Sequence, residues 1–225
     1  MRARRRHVPG GRQYDRRLPA SPPVPFFLAR PAGSPPWPGV VVLMEGAGIS
    51  PQLLRVCERL AAEGYAAVAP DLFHHLGGSD PDKLPDQFMA LRRDDALADI
   101  RACADELRRQ GASAVGVTGF CMGGRLAYEA ATHGVDVQAA APFYGARTGK
   151  ILGEPGCPLL CFFGGQDEFI PAEEIAAVEA RHPGQVVVYP HAGHGFMRDG
   201  SSSYDEVAAT DAWRRLLVFF AEHLA

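Results

Sequence analysis

Six short apolar runs, spaced so that helices fit between them, restrict how this chain can fold more than any other feature. Residues 40–44, 65–69, 114–118, 138–143, 158–163 and 185–189 each read as a strand, and several are apolar at every position. Unbroken apolar character, in place of in–out alternation, is the pattern of strands covered on both faces. Between them, residues 51–63 read as a helix stopped by Gly64. Residues 95–110 carry Leu97, Ile100, Ala104 and Leu107 on one face and stop at Gly111. Residues 124–132, 172–181 and 204–224 supply the other helices, the last with Trp213, Leu216, Leu217 and Phe220 available to cover the sheet. Strands alternating with helices predict an α/β fold with a mostly parallel central sheet flanked by helices on both faces. A short edge strand at residues 26–29 precedes an extended connector over residues 31–38. A length of 225 residues with 47% apolar content suits one such domain, assigned to residues 25–225.

One strand-to-helix junction carries chemistry. Residues 114–118 run into Gly119-Phe120-Cys121-Met122-Gly123 and then into the helix at 124–132. A sharp turn here lifts the central side chain above the sheet edge, and the flanking glycines let strand and helix pack closely behind it. The form is that of a nucleophile elbow with cysteine at its centre. Cys121 would stand at a helix N-terminus, where the dipole and free N–H groups favour an anion. A lone cysteine between apolar residues is more often a buried core thiol, so the reading depends on partners.

Those partners occur in the order nucleophile, acid, histidine. Gly164-Gly165-Gln166-Asp167 follows the strand at 158–163 and puts Asp167 on a loop at its carboxyl end; Glu168 is the neighbouring alternative. The strand at 185–189 leads into Pro190-His191-Ala192-Gly193-His194-Gly195-Phe196. His194, flanked by glycines that free the loop to aim its ring, is preferred over His191 as the base. A thiol nucleophile needs a base to take its proton, and the base needs an acid to hold its tautomer. His191 and His194 also form His-x-x-His, but no Cys-x-x-Cys pair adds ligands, and no metal is expected. Glu45 follows the apolar strand at 40–44 directly, placing a carboxylate in the crevice above the sheet; Ser50 and Pro51 already provide the cap of the next helix. The backbone N–H groups of Gly46 and Met122 are the natural pair of oxyanion donors.

Taken together, Glu45, the Gly64–Leu72 segment, the elbow at 119–123, Phe143-Tyr144-Gly145, Gly164-Gly165-Gln166-Asp167 and Ala192-Gly193-His194-Gly195-Phe196 resemble the dienelactone hydrolase family from residue 40 onward. The resemblance implies an α/β-hydrolase fold and a monomeric cytoplasmic enzyme that opens an enol-lactone by attack of Cys121, with His194 and Asp167 completing the triad. It implies that Glu45 assists thiol activation when substrate arrives and that Arg198 grips a substrate carboxylate. Arg92 and Arg93 are candidates for a second carboxylate-binding arginine. His74, after the strand end at Pro70-Asp71-Leu72-Phe73, is a candidate substrate contact, with His75 beside it; residues 77–88 read as a flexible cap segment. The expected partner is a small-molecule lactone or ester, with neither nucleic acid nor membrane, and no cofactor is required. Broader carboxylesterase or thioesterase activity is the neighbouring reading. A non-catalytic or redox-responsive thiol protein is the reading from another class.

The N-terminus differs in composition. Residues 1–18 hold seven arginines and one acid, while the whole chain carries a net charge of −3. A nucleic-acid arm or a targeting peptide would account for such a run. No apolar stretch long enough for a secretory signal follows before the prolines at 19, 22, 23 and 25. Residues 1–24 are therefore read as a disordered tail or the product of an early start codon. Five cysteines without a secretory signal fit a reducing compartment, with Cys57, Cys103 and Cys161 assigned to the core.

Overall fold

A computed structural model describes residues 24–225; the tail assigned to residues 1–24 lies, but for its last residue, outside the described residues. Seven strands form one sheet in the spatial order β1-β3-β2-β4-β5-β6-β7. They are β1 (Phe26–Ala29), β2 (Trp37–Leu43), β3 (Ala66–Pro70), β4 (Ala112–Phe120), β5 (Ala139–Phe143), β6 (Cys161–Gly164) and β7 (Val186–Tyr189). All neighbours are parallel except β1, which pairs antiparallel with β3 from Phe26 opposite Pro70 to Ala29 opposite Ala67. Every residue from Val40 to Leu43 and from Ala66 to Ala69 is fully buried, which explains why these runs are apolar without alternation.

Among the described residues there are six α-helices: α1 (Pro51–Ala62), α2 (Leu84–Ala90), α3 (Arg93–Arg109), α4 (Met122–Thr132), α5 (Ala172–Arg181) and α6 (Glu206–Leu224). Helices α3 and α4 touch each other and the central strands. Helices α1 and α6 meet through Arg59, whose guanidinium lies 3.9 Å from the Trp213 ring centroid, and Tyr65 after α1 packs on Phe220 of α6. Ser50 caps α1 by accepting from the Leu53 amide, with Pro51 at the first helical position, as the sequence predicts.

Two elements depart from expectation. Strand β2 begins at Trp37, inside the stretch read as a connector; Pro38 is accommodated because the pairing with β4 shifts register between Trp37 and Gly39. The stretch read as a flexible cap holds α2, a seven-residue helix with Pro85 in its first turn.

The strand order fixes where a site can form. From β2 the chain goes to β3 on one side, then crosses back to β4 on the other before continuing outward. The crevice above the carboxyl ends of β2 and β4 is thus the switch point, where open α/β sheets bind ligands. Glu45 leaves β2 there and Cys121 leaves β4 there.

Candidate active site

Strand β4 runs to Phe120, helix α4 starts at Met122, and Cys121 alone makes the turn between them. Its backbone sits at φ 54°, ψ −113°, a conformation that costs a non-glycine residue on the order of 1–3 kcal/mol and persists only where neighbours enforce it. Two hydrogen bonds do so: the Cys121 amide donates to the Phe143 carbonyl at 3.1 Å, and the Arg125 amide donates to the Cys121 carbonyl at 3.0 Å. A Cβ on Gly123 would collide with the backbone of Leu43, and one on Gly124 with that of Phe143. These glycines let α4 approach the ends of β2 and β5 closely enough to form the turn. As the first residue of α4, Met122 has an amide with no intrahelical acceptor.

His194 and Asp167 come together from the loops after β7 and β6. His194 Nδ1 lies 2.8 Å from Asp167 Oδ2, while Asp167 Oδ1 accepts from the Phe169 amide at 2.8 Å. Asp167 is fully covered and the His194 side chain nearly so. This contact occupies Nδ1 and leaves Nε2 for the proton of a nucleophile. Burial alone pushes the imidazole pKa down, but the hydrogen bonds to Asp167 and Cys121 and their charges outweigh it, giving about 9 against an ordinary 6.5. His191 and Glu168, the neighbouring alternatives, are both exposed.

Glu45 is buried and pairs with Arg198, whose Nε and terminal nitrogen both stand 2.9 Å from Oε2. The Tyr144 hydroxyl donates to Oε1 at 3.5 Å. Burial and the Glu45 charge push the Tyr144 hydroxyl well above its usual range, so it remains a donor. Arg198 lies against Gly195, at φ 77°, where a Cβ would come 3.2 Å from the guanidinium.

Sequence reasoning missed three aromatics here. Tyr144, itself at φ 37°, packs edge-on to the His194 ring at 5.1 Å, and Phe169 does so at 4.9 Å. Phe88 of α2 covers Gly46, where a Cβ would meet its ring at 3.2 Å. Tyr144 was visible as part of Phe143-Tyr144-Gly145, but without a role. The exposure of Phe88 on short helix α2 and of Phe169 on a loop carries no signal in the sequence.

Not every candidate joins the cluster. Arg92 and Arg93 open α3 with exposed side chains, paired with Asp95 and Asp94 of the same helix. The structure therefore places beside Glu45 one arginine, Arg198, and not the second one expected from this segment. His74 bonds Asp99 of α3.

The fold places this chain among the α/β-hydrolases. A structure described as a "Putative Dienelactone Hydrolase" from Klebsiella pneumoniae superposes with a TM-score of 0.83 at 29% identity, over 95% of this chain and 98% of that one. A dienelactone hydrolase-like promiscuous phosphotriesterase from metagenomic libraries gives 0.75 at 25% identity, over 89% and 92%. The model of the dienelactone hydrolase family matches residues 24–224, and the chain belongs to that family. A curated relative from Escherichia coli, named "Putative carboxymethylenebutenolidase", is 34% identical over 89% of this chain and 83% of its own length. The protein is accordingly a carboxylic ester hydrolase. No helix among the described residues is long and apolar enough to cross a membrane.

Proposed function

We propose that the protein hydrolyses an enol-lactone or small carboxylic ester through a Cys121–His194–Asp167 triad. The observation that carries this is His194, bonded through Nδ1 to a covered Asp167 and with Cys121 near enough to favour its protonated ring. Cys121 gives its proton to His194 as Sγ attacks the carbonyl carbon, and the developing oxyanion is held by the amides of Gly46 and Met122. Collapse breaks the C–O bond, and the leaving oxygen takes a proton from His194. The thioester is then attacked by a water that gives its proton to His194, releasing the acid and restoring the thiol. Protons and electrons balance within the triad and water.

Glu45 is held away from catalysis by Arg198 in this state. An incoming carboxylate that takes Arg198 frees Glu45 to help remove the thiol proton, so substrate binding and activation are coupled. A broader esterase reading is favoured by one observation: Arg198 is already neutralised, and Arg92 and Arg93 lie outside, so a neutral ester meets no unsatisfied cation. The cytoplasmic, monomeric state belongs to the same proposal; five free thiols support a reducing compartment.

Cys121→Ala and His194→Ala are each expected to lower kcat/KM on a dienelactone and on p-nitrophenyl acetate by at least about a thousandfold. Undiminished rates in either variant would remove the triad. Arg198→Ala separates the two readings: a carboxylated lactone loses kcat/KM selectively in the first, and both substrates change alike in the second.

A further inference from the structure

Away from Cys121, the 3₁₀ turn His74–Leu76 after β3 presents two imidazoles whose ring centroids are 3.7 Å apart. Both Nε2 atoms converge on a single carboxylate. His74 Nε2 lies 3.0 Å from Asp99 Oδ2, and His75 Nε2 lies 3.3 Å from Asp99 Oδ1. Asp99 projects from the covered face of α3, its side chain only 4% exposed. A buried carboxylate is costly unless its charge is matched. Among the described residues, the hydrogen-bond and ion-pair partners of Asp99 are these two histidines; no arginine, lysine or backbone amide reaches it.

We infer that His74, His75 and Asp99 form a binding site for a divalent transition-metal ion of the zinc type. The three ligand atoms lie within 4.8 Å of one another. Two ligands on a tetrahedral ion with bonds of about 2.1 Å stand about 3.4 Å apart, close to the N···O separations present. Small side-chain rotations bring the two tilted rings onto one ion. Two imidazole nitrogens and one carboxylate oxygen suit zinc, cobalt or nickel, whereas magnesium and calcium take oxygen. Cys103, one turn further along α3, is fully buried and stands outside the group of ligand atoms gathered within 4.8 Å. Three protein ligands leave a further position on the side where His75 is exposed.

The placement gives the ion a consequence for the catalytic face. It ties the turn to α3, and the Gln87 side chain in turn donates from α2 to the carbonyls of Gly78 at 2.7 Å and Leu76 at 3.4 Å. The next residue, Phe88, covers Gly46. Metal at His74 and His75 would thus stiffen the base of the segment that roofs the oxyanion site.

Metal-stripped full-length protein titrated with Co²⁺ and with Zn²⁺ tests this. One ion per chain is expected, with cobalt d–d bands free of thiolate charge-transfer absorption and a thermal midpoint that rises with Zn²⁺. Binding is expected to weaken at least about tenfold in Asp99→Asn and in His75→Gln. His75→Gln alters a partly exposed side chain, so the outcome does not depend on Asp99→Asn folding. Absence of saturable binding, unchanged affinity in a folded variant, or a thiolate band placing the ion on Cys121 would each overturn the site.

Discussion

A cysteine held at φ 54° is strained, and its turn sets the side chain near enough to His194 to help raise the imidazole pKa. That imidazole is shaped by two neighbours acting against its burial. Asp167→Asn removes the charge and keeps the size, so the His194 titration is expected to fall from about 9 toward 6.5; Cys121→Ala is expected to lower it as well. Imidazole proton shifts followed by NMR through a pH titration measure both, and an unmoved midpoint in Asp167→Asn would deny the acid its orienting role. Cys121, Asp167, His194 and Glu45 were legible because each follows a strand or forms a motif with its neighbours. The edge contacts of Tyr144 and Phe169 on His194 were not, since they join residues distant in the chain through ring packing alone. Arg92 and Arg93 show the converse. Being near the right segment is not enough, because the first turn of α3 faces solvent and supplies its own acids.

At the scale of elements, the elbow depends on β4 and α4 meeting without side chains between them. Gly124→Ala forces a Cβ into the Phe143 backbone and is expected to destabilise by about 1–3 kcal/mol or more. Gly134→Ala provides the contrast: its φ of 68° carries strain, but open space surrounds it, so about 1–2 kcal/mol is expected without loss of turnover. Urea unfolding with activity assays separates them, and full activity in Gly124→Ala would mean that the approach of α4 does not set the position of Cys121 that the proposed mechanism needs. The long strands and helices were readable because two-sided burial and glycine stops leave plain marks. Helix α2 was not readable: Phe88 and Met89 are exposed, so its seven residues show no amphipathic period. The start of β2 was hidden by Pro38, whose place in a central strand depends on a register shift visible only in the sheet.

Across the whole molecule, strand order is what gathers these residues, and order in space is not written in order along the chain. The class of fold was legible from alternation; the return from β3 across β2 to β4, which opens the crevice between Glu45 and Cys121, required the sheet itself. The loop bearing His194 and Arg198 is fastened to α1 by Arg55 on Asp199 at 3.0 Å and by Gln52 on the Met197 carbonyl at 3.4 Å. The site therefore takes part in global stability, and its charge should show in the pH dependence of unfolding. The pKa of His194 is raised from 6.5 to about 9 in the folded state, so its contribution is fully present below about pH 6.5 and is lost as pH rises through about 9. The shift corresponds to about 3 kcal/mol. His194→Gln lacks this contribution while keeping every other titrating group, so the stability gap between wild type and variant is expected to close by roughly that amount from the acid to the alkaline side of this window. Urea unfolding of both proteins at the two ends measures the gap, and an equal gap at both would mean that folding does not favour the imidazolium.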